Sequence, residues 1–151
     1  MSTKTVHLIV WASIFLATLL LSFILFQVRP DRKDRVVLFF PSEATAEWIG
    51  EGRNIPHMDT TEESVHELLK EITLGPIRLR LGLALPRGTR VRSVVLSDGS
   101  LYIDLSEHVV LAENSTSATF VEMLEAVRKS VLFNFPSIDE VALFVRGYST
   151  G

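Results

Sequence analysis

The chain has 151 residues, a net charge of −3 and a composition that is 47% hydrophobic and 22% charged. This length suits one domain, and the abundance of apolar residues excludes a mainly disordered chain. The absence of cysteine excludes disulfides, thiolate metal sites and a lipid-modified cysteine anchor, and the acidic balance argues against a nucleic-acid partner.

Residues 6–28 are predicted to form a transmembrane signal-anchor helix, with residues 1–5 as a cytoplasmic tip. The segment is 23 residues long and has no formally charged side chain when His7 is neutral. At 1.5 Å per residue it covers about 34 Å, enough to cross a hydrocarbon core of about 30 Å. The alternative is a cleaved secretory signal, which has a shorter apolar core that ends in small residues. Here the core runs into Phe26-Gln27-Val28-Arg29, which favours an uncleaved anchor.

The charges beside this helix leave its orientation open. One base, Lys4, precedes the apolar segment. Four bases follow it closely: Arg29, Arg32, Lys33 and Arg35. The positive-inside rule counts bases and places the more basic flank in the cytoplasm, which would put residues 36–151 there.

Residues 29–35 are predicted to be a charged linker, and residues 36–148 a single folded domain. Residues 36–40 are apolar and end at Pro41, which predicts a buried strand. Residues 42–60 are ambiguous, because the apolar residues Trp48, Ile49 and Ile55 are interrupted by two glycines.

The first helix of the domain has clear start and stop signals. Thr60 and Glu63 have the spacing of a capping box, and Gly75-Pro76 ends the pattern. Between them lies a single apolar stripe at helical spacing: Val65, Leu68, Leu69 and Ile72.

Residues 77–85 are predicted to be extended, because leucine or isoleucine occupies every second position. A hairpin follows, with strands at residues 90–96 and 101–105 joined through Asp98-Gly99, a pair that favours a two-residue type I′ turn. This turn predicts four cross-strand pairs: Leu96 with Leu101 and Val94 with Ile103 on one face, Val95 with Tyr102 and Ser93 with Asp104 on the other.

A second amphipathic helix is predicted over about residues 117–135, again with a capping box, Thr119 and Glu122. Its apolar face consists of Phe120, Leu124, Val127, Val131 and Phe135. Residues 141–145 form a last apolar strand, closed by Gly147. The predicted fold class is α+β: an N-terminal transmembrane helix, then a small sheet with two helices packed on one face.

Few residues suggest catalysis or metal binding. The histidines show no metal-ligand spacing, and the chain has no nucleophile motif, phosphate-binding glycine loop or dinucleotide fingerprint. We therefore predict no enzyme activity, no cofactor and no metal. A small hydrolase built on His57, Asp59 and His108 is the weakest of the hypotheses, since no motif places a nucleophile beside a base.

Two groups of residues are candidate interaction surfaces. Five arginines fall within fifteen residues: Arg78, Arg80, Arg87, Arg90 and Arg92. They form either an anion- or lipid-binding surface or a solvated strand face. Val95 and Tyr102 form either an ordinary cross-strand pair or part of a partner interface.

The order of these motifs resembles the GerMN domain, the sporulation and spore germination domain named after GerM. The resemblance spans residues 36–148 and includes Val36-x-Leu38-Phe39-Phe40, Pro86-x-Gly88-Thr89 and the segment from Val94 to Ser106. The positions that match as structural residues are Gly75, Pro76, Gly88, Asp98, Gly99, Asp104 and Ser106.

The resemblance implies a non-enzymatic domain of the cell envelope, similar to ring-building motifs that pack side by side. It implies assembly with itself or with envelope proteins outside the cytoplasmic membrane, and no catalytic residues. The alternative function is a ligand-binding module for cell-wall fragments or anionic lipid, with Arg78 and Arg80 on its surface.

Overall fold

A computed structural model of the protein describes residues 3–28, 32–45, 47–112, 115–116 and 118–150. The chain divides into two compact units, Met1–Arg32 and Lys33–Gly151.

The first unit is a single helix, α1, Thr3–Val28. Within it Val6–Gln27 has a mean hydropathy of 2.6 and no buried part, so it is long and apolar enough to cross a membrane. Two of its polar side chains are satisfied inside the helix, because the hydroxyls of Ser13 and Thr18 donate to carbonyls one turn earlier at 2.9 Å. The predicted helix is confirmed; a signal sequence meets the same criteria of length and composition.

The second unit begins with an antiparallel pair, β1, Lys33–Pro41, and β2, Trp48–Pro56. β1 starts before the predicted position at Val36, so the last three residues of the predicted linker belong to the strand. β2 resolves the ambiguous region, since it continues through both glycines. A Cβ on Gly50 would lie 2.8 Å from the Val37 side chain, so the glycine allows β1 side chains to pack across β2.

The outer edge of β1 is covered by side chains of the helix α4, Phe120–Asn134. The side-chain oxygen of Asn134 accepts the Val37 N–H at 2.8 Å, and its side-chain NH2 donates to the Val37 carbonyl at 2.7 Å. The buried Ser130 hydroxyl receives the Phe39 N–H at 3.1 Å. These side chains replace a third strand, so the edge is closed to further pairing there.

Both predicted amphipathic helices are confirmed. Helix α2, Thr61–Leu74, is capped at its start by Thr60, whose side chain accepts the Glu63 N–H, and at its end by Gly75, which has φ of 86°. Its predicted stripe is buried. Helix α4 has the full capping box of Thr119 and Glu122.

The larger sheet has four strands in the order β3-β4-β5-β6: β3, Val91–Ser97; β4, Ser100–Leu105; β5, Glu140–Val145; and β6, Tyr148–Ser149. The turn between β3 and β4 has positive φ at Asp98 (49°) and Gly99 (80°), as a type I′ turn requires. All four predicted cross-strand pairs are present. β5 pairs parallel to β4 after the crossover through α4.

The prediction of an extended segment at residues 77–85 is wrong. The chain forms turns there, with Arg80 at φ of 71° and an isolated bridge between Ser42 and Leu81. The short helix α3, His108–Leu111, and the strand β6 are further elements that the sequence did not indicate.

One hydrophobic core joins both sheets to α2 and α4. Its fully buried members include Phe40 of β1, Leu68 of α2, Ile103 of β4 and Val127 of α4. The α+β fold class is therefore confirmed, with a separate two-stranded sheet beside the four-stranded one.

Candidate interaction surfaces

The outer face of the four-stranded sheet carries the first predicted surface. Val95 and Tyr102 lie directly opposite each other and are 53% and 42% exposed. The Phe144 ring of β5 lies beside Tyr102, with ring centroids 6.4 Å apart. The three side chains form an apolar patch on a face whose strands otherwise carry several serines.

Asp104 and Ser106, which belong to the matched motif, hold the far end of this sheet together. Asp104 accepts the Gly147 N–H at 3.0 Å and pairs with Arg92 at 3.2 Å. The Ser106 hydroxyl accepts the Arg90 N–H at 3.0 Å. Both side chains are therefore occupied in joining strand ends, and Ser106 also lines a small groove with Arg92, Glu107 and Arg146.

The matched glycines lie at turns with left-handed backbone conformations. Gly75 ends α2 next to Pro76, and a Cβ there would lie 2.6 Å from the Leu83 side chain. Gly88 has φ of 90°. A Cβ added to it would lie 3.3 Å from the His108 ring. These residues shape the route of the chain from α2 to β3.

A buried ion pair fixes the start of that route. Glu51 of β2 is 4% exposed, and its carboxylate contacts the Arg53 guanidinium at 2.7 Å. The same carboxylate accepts the amide N–H groups of Ile77 and Arg78 at 2.9–3.2 Å. Arg53 also contacts Glu71 of α2 at 2.8 Å and the Gly75 carbonyl at 2.7 Å.

This network stabilises the charged form of Glu51. Burial by itself would raise the pKa of Glu51, but the Arg78 amide, the Arg53 guanidinium and the Ile77 amide outweigh it and hold the pKa below its ordinary value. Glu51 therefore stays ionised and links β2, the end of α2 and the following loop.

The loop that this network holds presents four consecutive exposed residues, Ile77, Arg78, Leu79 and Arg80, here called the 77–80 tip. Ile77 is 76% exposed and Leu79 is 93% exposed. The other end of the tip is also fixed, because the Arg80 carbonyl accepts the Glu43 N–H at 3.0 Å and Gly82 donates to the Pro41 carbonyl at 2.8 Å.

The structure divides the predicted arginine cluster. Arg78, Arg80 and Arg87 line one groove together with Glu43, whereas Arg90 lines another with His66 and Lys70. Arg92 is paired with Asp104. Within the part of the chain that the structure describes, no carboxylate pairs with the three arginines of the first groove.

The residues of the hydrolase hypothesis have different neighbours. His57 pairs with Asp34 of β1 at 2.9 Å, and both side chains are about half exposed. His108 begins α3 and lies against Gly88. Among the described residues, no group of three or more histidines or carboxylates is placed to hold a metal ion.

Glu51 and Arg53 were not predicted from the sequence as functional residues. A signal was present in the sequence. Glu51 and Arg53 occupy alternate positions in line with Ile49 and Ile55, and alternate residues of a strand point to the same face, so both side chains should point to the core side of β2. The two intervening glycines obscured the strand, and with it the face on which each of its side chains lies.

Comparison with known proteins relates most of the second unit to one family. A family model described as Germane, sporulation and spore germination, matches residues 37–150. The first GerMN domain of the sporulation protein GerM from Bacillus subtilis is similar in structure, with a TM-score of 0.62 and 19% identity over 77% of this chain and 85% of that one.

The tandem GerMN domains of the same protein superpose with a TM-score of 0.58 and 19% identity, over 78% of this chain and 41% of that one. A search of curated protein sequences finds no match. The family model and the shared fold agree with the resemblance noted in the sequence motifs.

Proposed function

Because the chain belongs to the Germane family of sporulation and spore germination domains, we propose that it is a membrane-anchored, non-enzymatic protein of the cell envelope whose domain assembles with further copies of itself or with other envelope proteins. Such assembly would serve a sporulation, germination or envelope-remodelling complex.

The observation that carries this proposal is the apolar patch of Val95, Tyr102 and Phe144 on the outer sheet face. Exposed apolar area of this kind is stabilised when a partner covers it, and a polar border is typical of protein interfaces. The strands supply a rigid platform, since the residues below the patch are buried in the core.

Disulfide crosslinking in native membranes tests the proposal, because the chain has no cysteine of its own. We expect Tyr102→Cys to give disulfide-linked copies or links to an envelope protein. Val121→Cys is the matched control, since Val121 is 67% exposed on α4, another surface. If both variants crosslink equally weakly and the full chain stays monomeric in membranes, assembly through this face is wrong.

We also propose that residues 6–28 act as an uncleaved anchor, with residues 1–5 in the cytoplasm and residues 36–148 outside it. The resemblance to GerMN domains of the cell envelope favours this orientation, whereas the bases after the anchor favour the opposite one. A reporter active only outside the cytoplasm, fused after Gly151, should be active, and a reporter active only inside should be silent. The reverse result would place the domain in the cytoplasm.

A second candidate function is recognition of an anionic ligand, either cell-wall fragments or lipid. It is favoured by Arg78, Arg80 and Arg87, which are exposed and line one groove. Reversing the charges of Arg78 and Arg80 should then abolish sedimentation with anionic vesicles or with cell wall. Unchanged binding would reject this function.

A further inference from the structure

We propose that the 77–80 tip inserts into the headgroup region of an anionic lipid bilayer. This bilayer is the membrane in which α1 anchors the chain. This inference deepens the second candidate function and rests on the proposed membrane anchorage. It commits to lipid as the ligand and assigns separate roles to the apolar and the basic residues of the tip.

The tip is a preformed protrusion. Its first two amides are bound to the buried Glu51 carboxylate, and its last carbonyl is bound to the Glu43 amide. A segment fixed at both ends does not have to be ordered on binding, so contact with a surface costs little further conformational entropy.

The chemistry of the tip matches a lipid surface better than a soluble anion. Ile77 is largely and Leu79 almost wholly in water, and they alternate with Arg78 and Arg80. A polysaccharide or a free phosphate would engage the arginines and leave both apolar side chains in water. A bilayer interface accepts all four, because apolar side chains reach the acyl boundary while arginines bind anionic headgroups.

The covalent chain keeps the domain near the bilayer once α1 spans it. Only residues 29–32 separate the end of α1 from the start of β1, which is at most about 18 Å of extended chain between Val28 and Lys33. The tip lies beside Pro41, at the opposite end of β1 from Lys33, so it reaches the bilayer when β1 lies along the membrane surface. In that position the bilayer is present at high effective concentration, which favours even a weak contact by two apolar and two basic side chains.

The test uses the full chain in vesicles of equal parts phosphatidylglycerol and phosphatidylcholine. An environment-sensitive fluorophore is attached to a single cysteine at Leu79→Cys or, as control, at Val121→Cys. Nitroxide-labelled lipid headgroups then report contact with the bilayer. Both leaflets have one composition, so the direction of insertion does not affect the reading.

We expect quenching at position 79 to exceed that at position 121 by about threefold or more, and to fall towards the control in pure phosphatidylcholine. Equal quenching at both positions in anionic vesicles overturns the proposal. The fluorophore at position 79 could also be shielded from water to a degree that rises with protein density and does not change with lipid charge. That result overturns the proposal too, because the tip then contacts protein.

Charge reversal separates the role of the arginines from a general loss of positive charge. Arg80→Glu should lower the ratio of inserted to free tip by about fivefold or more. Lys70→Glu changes the net charge by the same amount at an exposed residue of α2. It should leave the ratio of inserted to free tip unchanged. Equal effects of both variants contradict a specific contact by the tip.

Flotation of the vesicles distinguishes the two levels of failure. A chain that floats with vesicles but keeps position 79 in water refutes the tip contact and leaves the anchorage intact. A chain that does not float refutes the anchorage and, with it, the tip contact.

Discussion

Replacing Glu51 by alanine should destabilise the domain more than any exposed charge substitution. The variant leaves the Arg53 guanidinium, whose side chain is 9% exposed, with only Glu71 and the Gly75 carbonyl as partners. It also removes the acceptor of the Ile77 and Arg78 amides. Loss of one member of a buried ion pair costs about 3–5 kcal/mol.

The lower end of this range applies, because Glu71 still compensates the charge of Arg53. A loss of about 3 kcal/mol corresponds to a drop in Tm of about 12 °C for a domain of this size. Glu67→Ala is the matched control. Glu67 pairs with Lys70 at the surface of α2, where the Lys70 side chain is 59% exposed and the Glu67 side chain 19%, and a pair of this kind should contribute less than about 1 kcal/mol.

The measurement is thermal unfolding of the full chain in detergent micelles, followed by tryptophan fluorescence. The chain has two tryptophans, so the Trp11→Phe background leaves Trp48, which packs against the core at the start of β2, as the reporter. If Glu51→Ala loses no more stability than Glu67→Ala, the ion pair does not hold the loop and the reasoning is refuted.

A double variant separates the ion pair from the loop contacts. Arg53→Met removes the buried cation, so Glu51→Leu in that background breaks no ion pair. Adding Glu51→Leu then removes a buried carboxylate that has already lost its cation, as well as the acceptor of two amides. We therefore expect Glu51→Leu to cost about 1–3 kcal/mol less in this background than in the unsubstituted chain. An equal cost in both backgrounds would show that the ion pair adds nothing to the amide contacts.

Three further predictions concern stability. The pKa of Glu51 is held below its ordinary value of 4.5, so the stabilisation by its carboxylate is fully present above that pH and is lost as the pH falls through the lower pKa of the folded state. The difference in stability between the unsubstituted chain and Glu51→Gln should therefore shrink as the pH falls below about 4.5, and a difference independent of pH in acid unfolding would contradict this. Gly75→Ala should destabilise the domain more than Gly147→Ala. Both glycines have positive φ, but only at Gly75 does a side chain lie within 3 Å of the new Cβ. Denaturant unfolding should show a loss of stability of about 1 kcal/mol for Gly147→Ala and of at least about 2 kcal/mol for Gly75→Ala. Ser130→Ala should cost about 1–3 kcal/mol, since the Phe39 N–H loses its acceptor at a buried edge, and faster hydrogen exchange at the Phe39 amide would accompany the loss.

The parts of the fold that follow from local chemistry were predictable. Asp98-Gly99 specifies both the turn and the register of the hairpin, so the exposed pair of Val95 and Tyr102 could be named from the sequence. The capping boxes and apolar stripes likewise placed α2 and α4 within a few residues.

The segment after α2 could not be predicted, because a distant side chain decides its shape. Alternation of apolar residues indicated a strand, yet Glu51, 26 residues before Ile77, takes the amides that a neighbouring strand would need. Leu85 then enters the core while Leu79 stays in water. For the same reason the parallel pairing of β4 with β5, which depends on a long crossover, had no local signal.

The closure of the β1 edge by Asn134 has a consequence for the order in which the domain is made. The two residues that meet, Val37 and Asn134, are 97 positions apart, so the first strand to be synthesised is among the last elements to be completed. Until the end of α4 has emerged, β1 exposes unpaired amides and carbonyls that other nascent chains can pair with. A chain that stops before Asn134 should therefore aggregate rather than merely lose stability, and rapid completion of the C-terminal third protects the N-terminal strand.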